Sequence, residues 1–118
     1  MPTISNARIT NTFLGIEDHG IFTFSISVEI AGGSYCSIGN YCLSYTKDGE
    51  THYEAKNSEA ICRILKVVGV DSWEELKGKY IRVEMNGWGS EIYTIGNLMK
   101  DEWFNLKEFF SKQKSDEV

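Results

Sequence analysis

Apolar and polar side chains alternate strictly between residues 21 and 30, and this pattern restricts the folds open to the chain more than any other. The apolar positions are Phe22, Phe24, Ile26, Val28 and Ile30. Thr23, Ser25 and Ser27 lie between them. A period of two places the apolar set on one face of a β-sheet and the polar set on the other. The segment therefore predicts a half-buried strand inside a sheet.

Two more strands are predicted around this one. Residues 7–16 are rich in Ile, Thr and Phe, and the turn-forming residues 17–20 connect them to the alternating strand as an antiparallel hairpin. Residues 35–46 predict a third strand, in which Gly39 indicates a bulge. The Asp48-Gly49 turn then leads to a short returning strand at 51–54.

The second half of the chain combines helices with a second hairpin. Apolar spacing predicts a helix near 58–68, beginning at Asn57 or Ser58 and ended by Gly69. Asp71 with Glu74 has the pattern of a capping box, which opens a short helix.

A strand at 80–85 is followed by Asn86-Gly87, the strongest tight-turn signal in the chain, and by a partner strand at 90–95. A terminal helix is predicted from Asp101 or Asn105. Its expected buried side chains are Trp103, Leu106, Phe109 and Phe110.

This order of elements defines the fold class. Hairpins rather than long crossovers predict an α+β architecture, with an antiparallel sheet of about five to six strands and two to three helices packed on one face. The 118 residues suffice for one domain. We expect that domain to span residues 1–112 and to be followed by a polar tail at 113–118.

Charge and composition exclude several classes of function. Lys and Arg number 12 and Asp and Glu 17, which gives a net charge of −5 and argues against direct binding of nucleic acid. No apolar run approaches the length of a membrane span. The cysteines Cys36, Cys42 and Cys62 lack metal-site spacing and are expected to be buried free thiols. Free thiols favour a reducing compartment, so we expect a cytoplasmic protein.

Asp18-His19 is the pair that most suggests catalysis, because a carboxylate can orient an imidazole. Adjacent side chains in a tight turn point apart, however, and no nucleophile is placed beside them. A structural turn is favoured over ligand contact, and ligand contact over catalysis. Gly32-Gly33-Ser34 lacks the lysine of a phosphate-binding loop. The chain is therefore predicted not to be an enzyme and to need no cofactor or metal.

Arginine and aromatic residues are the other candidates for ligand binding. Arg8 and Arg82 fall in predicted strands and could bind phosphate from the open face of the sheet, although a cross-strand ion pair explains them as well. Tyrosine rings could stack a base or simply cover the sheet; they are Tyr35, Tyr41, Tyr45, Tyr80 and Tyr93. Trp88, at a hairpin tip, either folds onto its own sheet or anchors a partner.

Three stretches resemble a family of small phage and prophage proteins. They are residues 6–9 with the run at 14–23, which contains Leu-Gly-Ile-Glu-Asp-His-Gly-Ile, then residues 67–84, and Asp101-Glu102-Trp103-Phe104. The resemblance covers roughly half of the chain in matching order. A glycine-rich stretch that is longer in that family is reduced here to residues 32–41.

The resemblance extends to the Thoeris anti-defence sponges, which bind cyclic ADP-ribose-type signals without cutting them. It implies a cytoplasmic protein of the infected host cell that sequesters a small anionic nucleotide. The alternative is an inhibitor that binds a host defence complex such as a CRISPR effector. A nucleotide pocket near the interface of a homodimer or higher oligomer is expected. The predicted ligand-binding residues are Arg8, Asp18, His19, Tyr41, Arg82 and Trp88.

Overall fold

The computed structural model describes residues 3–17, 20–53, 55–85 and 92–110. Its strands are β1 (Thr3–Ile16), β2 (Phe22–Ile30), β3 (Ser34–Cys42), β4 (Ser44–Lys47), β5 (Glu50–Tyr53), β6 (Tyr80–Met85), β7 (Thr94–Gly96) and β8 (Trp103–Asn105). Its helices are α1 (Ala55–Val68), a 3-10 turn (Trp73–Leu76) and α2, residues 106–110. A 6-stranded sheet has the order β3-β2-β1-β6-β7-β8, and β4 with β5 forms a separate hairpin. All pairings are antiparallel, which confirms the predicted α+β fold.

One face of the large sheet covers the core, as the alternation in β2 predicts. Phe24, Ile26 and Val28 are buried, whereas Ser25 and Ser27 are only partly covered on the other side. Inward side chains of β1 and β6 continue this apolar layer, and both helices pack against it. The core residues that the helices contribute are Ala60, Ile64, Val67, Leu106 and Phe110. We call the opposite side of the sheet its open face.

The strand predicted at 35–46 is divided into β3 and β4, because the chain leaves the large sheet at Leu43. The Leu43 amide still donates to the carbonyl of Phe22 at 2.7 Å, but its side chain turns into the core and is only 1% exposed. Residues 44–47 then pair with β5 rather than with the large sheet. The predicted bulge at Gly39 is present, since the register of β2 and β3 shifts beside it and its φ is +110°.

The first helix begins earlier than predicted and ends as expected. α1 begins at Ala55, so Asn57 lies inside the helix and is buried. Gly69 has a φ of +92°, and its amide and that of Val70 both donate to the carbonyl of Leu65. Cys62 is exposed, contrary to the expectation of a buried thiol, because it lies on the outer side of α1.

The predicted capping box is also wrong, because the segment forms only a 3-10 turn. Ser72 rather than Asp71 is its N-cap residue and makes no side-chain capping bond. The backbone amide of Asp71 donates to the carboxylate of Glu75 at 3.5 Å, and not to that of Glu74. Gly78, with φ +90°, ends the turn, and its amide donates to the carbonyl of Ile9 on β1.

The chain after β6 departs from prediction in two places. The partner strand of β6 is β7, which is shorter than the predicted 90–95, and the Asn86-Gly87 turn lies outside the described residues. Trp103 belongs to β8 and not to the last helix, because it pairs with Gly96. Asn105, one of the two predicted start points, caps α2 by accepting a 2.9 Å bond from the Glu108 amide. The predicted tail at 113–118 also lies outside the described residues.

A bulge in β1 changes which of its residues face the core side of the sheet. Between Ile9 and Asn11 the register with β2 shifts, and the Thr10 hydroxyl donates to the carbonyl of Ser27 at 3.2 Å. Beyond this point Leu14 and Ile16 take the core side, where they remain 36% and 67% exposed. The β1–β2 hairpin therefore extends past the core with apolar side chains uncovered.

Among the described residues, no helix has the length and apolar character that a membrane crossing requires.

Candidate functional site

The register of the sheet aligns four polar side chains across its open face. Arg8 on β1 pairs with Tyr80 on β6 and with Glu29 on β2, and Glu29 in turn pairs with Tyr35 on β3. Since neighbouring strands lie about 4.8 Å apart, the two tyrosines are about 14 Å apart. We call Tyr80, Arg8, Glu29 and Tyr35 the open-face row.

Both tyrosines of the row present their rings to solvent. Tyr35 is 71% exposed and Tyr80 is 57% exposed. The Tyr35 hydroxyl donates a hydrogen bond to the Glu29 carboxylate, and this bond and the negative charge of Glu29 raise the pKa of Tyr35 above its ordinary 10.0. Arg8 lowers the same pKa to a smaller extent, so its positive charge acts within the row. Tyr35 is therefore neutral at physiological pH, and its hydrogen bond to Glu29 restrains its ring.

Arg8 is the cation of the row that can bind a ligand. It is exposed, and within the described ranges no hydrogen bond or ion pair engages its guanidinium. An exposed guanidinium offers a flat fork of donors suited to phosphate. The structure thus brings Arg8 together with two of the tyrosines that the sequence singled out as stacking surfaces.

Arg82 also lies on the open face, but its donors are used within the protein. Its Nε donates to the carbonyl of Asn97 at 2.7 Å, and Nη2 donates to that of Lys100 at 2.8 Å. Its guanidinium stacks on the ring of Trp103 at 4.6 Å from the centroid. These contacts differ from the cross-strand ion pair considered from the sequence. Through these contacts Arg82 stabilises the turn at 97–100.

Asn97 stabilises the same turn with its side-chain amide. Its Oδ1 accepts from the amides of Met99 and Lys100, and its Nδ2 donates to the carbonyl of Val67 at the end of α1. The turn therefore connects the helix to the sheet, which is a structural task.

Tyr41 lies on the other side of the sheet. Its ring stacks on that of Phe110 with centroids 4.3 Å apart and an interplanar angle of 10°. It packs against the core, and Phe24 lies nearby with a centroid distance of 6.4 Å. Within one chain the sheet separates Tyr41 from Arg8, so the two do not meet in one pocket.

The remaining predicted residues, Asp18, His19 and Trp88, lie outside the described part of the chain. The hairpin around the first two is closed by a 2.9 Å bond from the Glu17 amide to the carbonyl of Ile21. The structure therefore describes the residues on either side of this turn. Ligand contact by Asp18 and His19 stays a prediction.

A cavity of about 250 Å³ lies on the core side, under the uncovered part of the β1–β2 hairpin. It is lined by Leu14, Phe22, Leu43, Tyr53, Asn57, Ser58 and Ile61. We call it the hairpin pocket. Sequence reasoning missed it, because the bulge that places Leu14 on the core side and the turn that inserts Leu43 both depend on pairing between strands.

Comparison with known proteins adds no family: the chain matches no protein-family model and no curated protein. Among the described residues, no cluster of His, Cys, Asp and Glu could hold a metal ion. Within the part of the chain that the structure describes, the open-face row and the hairpin pocket are two places where the geometry favours ligand contact.

Proposed function

We propose that the protein binds and sequesters a small anionic nucleotide, of the cyclic ADP-ribose type, without cleaving it. This is the role of the phage anti-defence sponges that the sequence resembles. The observation that carries the proposal is the position of Arg8 between two exposed tyrosines, in register on one open sheet face, with no hydrogen bond or ion pair to its guanidinium from the described part of the chain.

The row fits the parts of such a ligand. Arginine binds phosphate oxygens with two parallel donors, and aromatic rings on an open sheet stack bases without regard to their sequence. Arg8 lies one strand from Tyr80 and two strands from Tyr35, so a phosphate bound by Arg8 leaves the single base of the ligand next to one of the two tyrosine rings. Glu29 supplies an acceptor for a ribose hydroxyl while it holds the Tyr35 ring.

An open sheet face covers only one side of a ligand. We therefore propose that a second copy of the chain faces the first and encloses the nucleotide at a two-fold interface. Light scattering over a concentration series tests this part: a dimer whose population rises with the nucleotide supports it, and a strict monomer with bound nucleotide contradicts it.

Thermal unfolding with cyclic ADP-ribose isomers and cyclic oligonucleotides tests the proposal. A ligand at about 100 times its Kd stabilises the folded state by about 2.7 kcal/mol, which raises Tm. Arg8→Gln should abolish the rise. Arg63→Gln is the matched control, because Arg63 is an exposed arginine on α1 that stacks on Phe104 and pairs with Glu59.

The fate of the ligand distinguishes a sponge from an enzyme. After incubation and heat denaturation the nucleotide should be recovered intact, and a cleaved product would contradict the proposal. If no nucleotide raises Tm, the sponge is excluded and the inhibitor of a defence complex becomes the better explanation.

A further inference from the structure

β3 is the last strand at one end of the large sheet, so in the described part of the chain only one of its two sides pairs with another strand, β2. Before the bulge at Gly39 this pairing is regular over residues 34–38. We call these residues, all of which the structure describes, the β3 edge. Tyr35 and Ser37 within it are exposed. The outer side of the β3 edge is therefore open to a partner.

The hydrogen bonds of β2 determine which backbone groups of the β3 edge point outward. The Ala31 amide donates to the carbonyl of Asn6 on β1 at 3.0 Å, so the odd-numbered residues of β2 direct their backbone to β1 and the even-numbered ones to β3. Those even-numbered residues pair with the even-numbered residues of the β3 edge. The N–H and C=O groups of Tyr35 and Ser37 therefore point outward. In the described part of the chain no hydrogen bond engages them.

The sequence of the β3 edge lacks the features that protect a sheet edge. Natural edge strands prevent pairing with other chains through charged residues, proline or very short length. Residues 34–38 are Ser-Tyr-Cys-Ser-Ile and include neither a charged residue nor proline. At the other end of the sheet, β8 has only 3 residues and α2 follows it directly. Of these two edges, the β3 edge is thus the one suited to pairing.

The outward groups of the β3 edge are complementary to a second copy of themselves. Around a two-fold axis at Cys36, Tyr35 of each copy lies opposite Ser37 of the other. In antiparallel pairing each such pair exchanges both backbone hydrogen bonds, so every outward N–H meets an outward C=O. The large ring then lies beside a small side chain, and no like charges within the edge meet. An axis at Tyr35 or Ser37 would instead place one of the pairs at the turn or at the bulge.

We propose that two copies of the chain pair antiparallel along their β3 edges, around a two-fold axis at Cys36, and join their large sheets into one. This contact goes beyond the proposed function, because it lies along the edge of the sheet rather than on its open face and needs no nucleotide. Either contact can fail without the other.

Proline at an outward position tests the contact. Ser37→Pro removes an N–H that points away from β2, which is where an edge strand tolerates proline, so the chain should still fold. Ser37→Ala is the matched control, because it keeps the N–H. Sedimentation equilibrium without nucleotide should show a dimer at protein concentrations up to about 1 mM for the wild type and Ser37→Ala, and at least about tenfold weaker association for Ser37→Pro. A monomeric wild type, or equal association of Ser37→Pro, overturns the proposal.

The Cys36 thiol tests the register without proline. Residues opposite each other at such an axis have Cα atoms about 4.5 Å apart, within reach of a disulfide. Cys36 is free and partly exposed. The oxidant diamide takes two electrons and two protons from the two thiols and becomes a hydrazine, which leaves a covalent dimer. This dimer should form without nucleotide, persist in Cys62→Ser, whose lost thiol is exposed on α1, and disappear in Cys36→Ser. No covalent dimer in the wild type, or an undiminished one in Cys36→Ser, contradicts the register.

Discussion

Gly39 on β3 lies directly against the ring of Phe24 on β2, at the point where the register of the two strands shifts. A Cβ atom on Gly39 would stand 2.8 Å from Cε2 of that ring and 2.9 Å from the Phe24 carbonyl oxygen. The φ of Gly39 is +110°, a conformation that L side chains rarely adopt. Glycine is thus required twice at this bulge, once for space and once for backbone geometry.

We predict that Gly39→Ala destabilises the protein by about 2–5 kcal/mol, the combined range for a strained backbone and an overpacked core. Urea denaturation measures the change. Gly33→Ala is the control, because Gly33 also has a positive φ, +98°, but nothing within 4 Å of its Cβ position. It should show the backbone cost alone, about 1–2 kcal/mol. Equal losses in the two variants would show that Phe24 can move aside.

Phe24 itself is predicted to be a main support of the core. It is fully buried and packs against three aromatic rings, those of Trp73, Tyr41 and Phe110, at centroid distances of 6.1, 6.4 and 6.2 Å. Phe24→Ala should therefore cost about 3–5 kcal/mol in the free energy of unfolding. Phe13→Ala, at a 43% exposed position on the open face, should cost far less. A loss below about 1 kcal/mol for Phe24→Ala would mean that the core collapses around the cavity.

The fold was predictable where a local pattern decides the structure. The alternation in β2 needs only neighbouring residues, and the Gly69 end of α1 needs only a glycine after an apolar helix face. Trp103 was misassigned because its spacing to Leu106 and Phe110 suits a helix. The structure instead pairs Trp103 with Gly96 across the β7–β8 hairpin, a pairing that helical spacing does not show.

The site was less predictable, for the same reason. The sequence singled out Arg8 and Arg82 alike as exposed arginines on strands. Only the turn at 97–100, brought back over β6 by β7, supplies the carbonyl groups that engage Arg82. Likewise Asn57 was a plausible helix start, and its buried contact with Leu43 arises only when the β4–β5 hairpin places the chain there.

These different surroundings predict separable effects of the two arginines. Arg82→Ala should lower the free energy of unfolding by about 1–3 kcal/mol, because it removes charge-assisted bonds to two carbonyl groups. The amides of Met99 and Lys100 should then exchange faster with solvent. Arg8→Ala should leave stability nearly unchanged and weaken nucleotide binding. A nucleotide affinity that depends on Arg82 and not on Arg8 would move the proposed site away from the open-face row.

The Tyr35–Glu29 pair predicts a pH dependence at high pH. Because the Tyr35 pKa is raised in the folded protein, the neutral phenol is favoured by folding. Its stabilising effect is complete below the unfolded value near 10.0 and is lost as the pH rises through the folded pKa. Glu29→Gln should lower this pKa towards its ordinary value, as read from the Tyr35 ring signal by NMR. An unchanged pKa in that variant would exclude the carboxylate as its cause.

The last prediction concerns the stacking rings of the open-face row. Tyr35→Ala or Tyr80→Ala, whichever removes the ring that stacks the single base, should weaken nucleotide binding by about tenfold, since stacking of a base on an aromatic ring contributes about 1–3 kcal/mol. Tyr35→Phe and Tyr80→Phe should retain most of the affinity, because they keep the ring. Tyr53→Ala is the matched control: Tyr53 is 68% exposed like Tyr35, but it lies at the rim of the hairpin pocket on the other side of the sheet. If Tyr53→Ala reduces nucleotide affinity as much as the more harmful of those two alanine substitutions does, the nucleotide binds at the hairpin pocket instead of the open face.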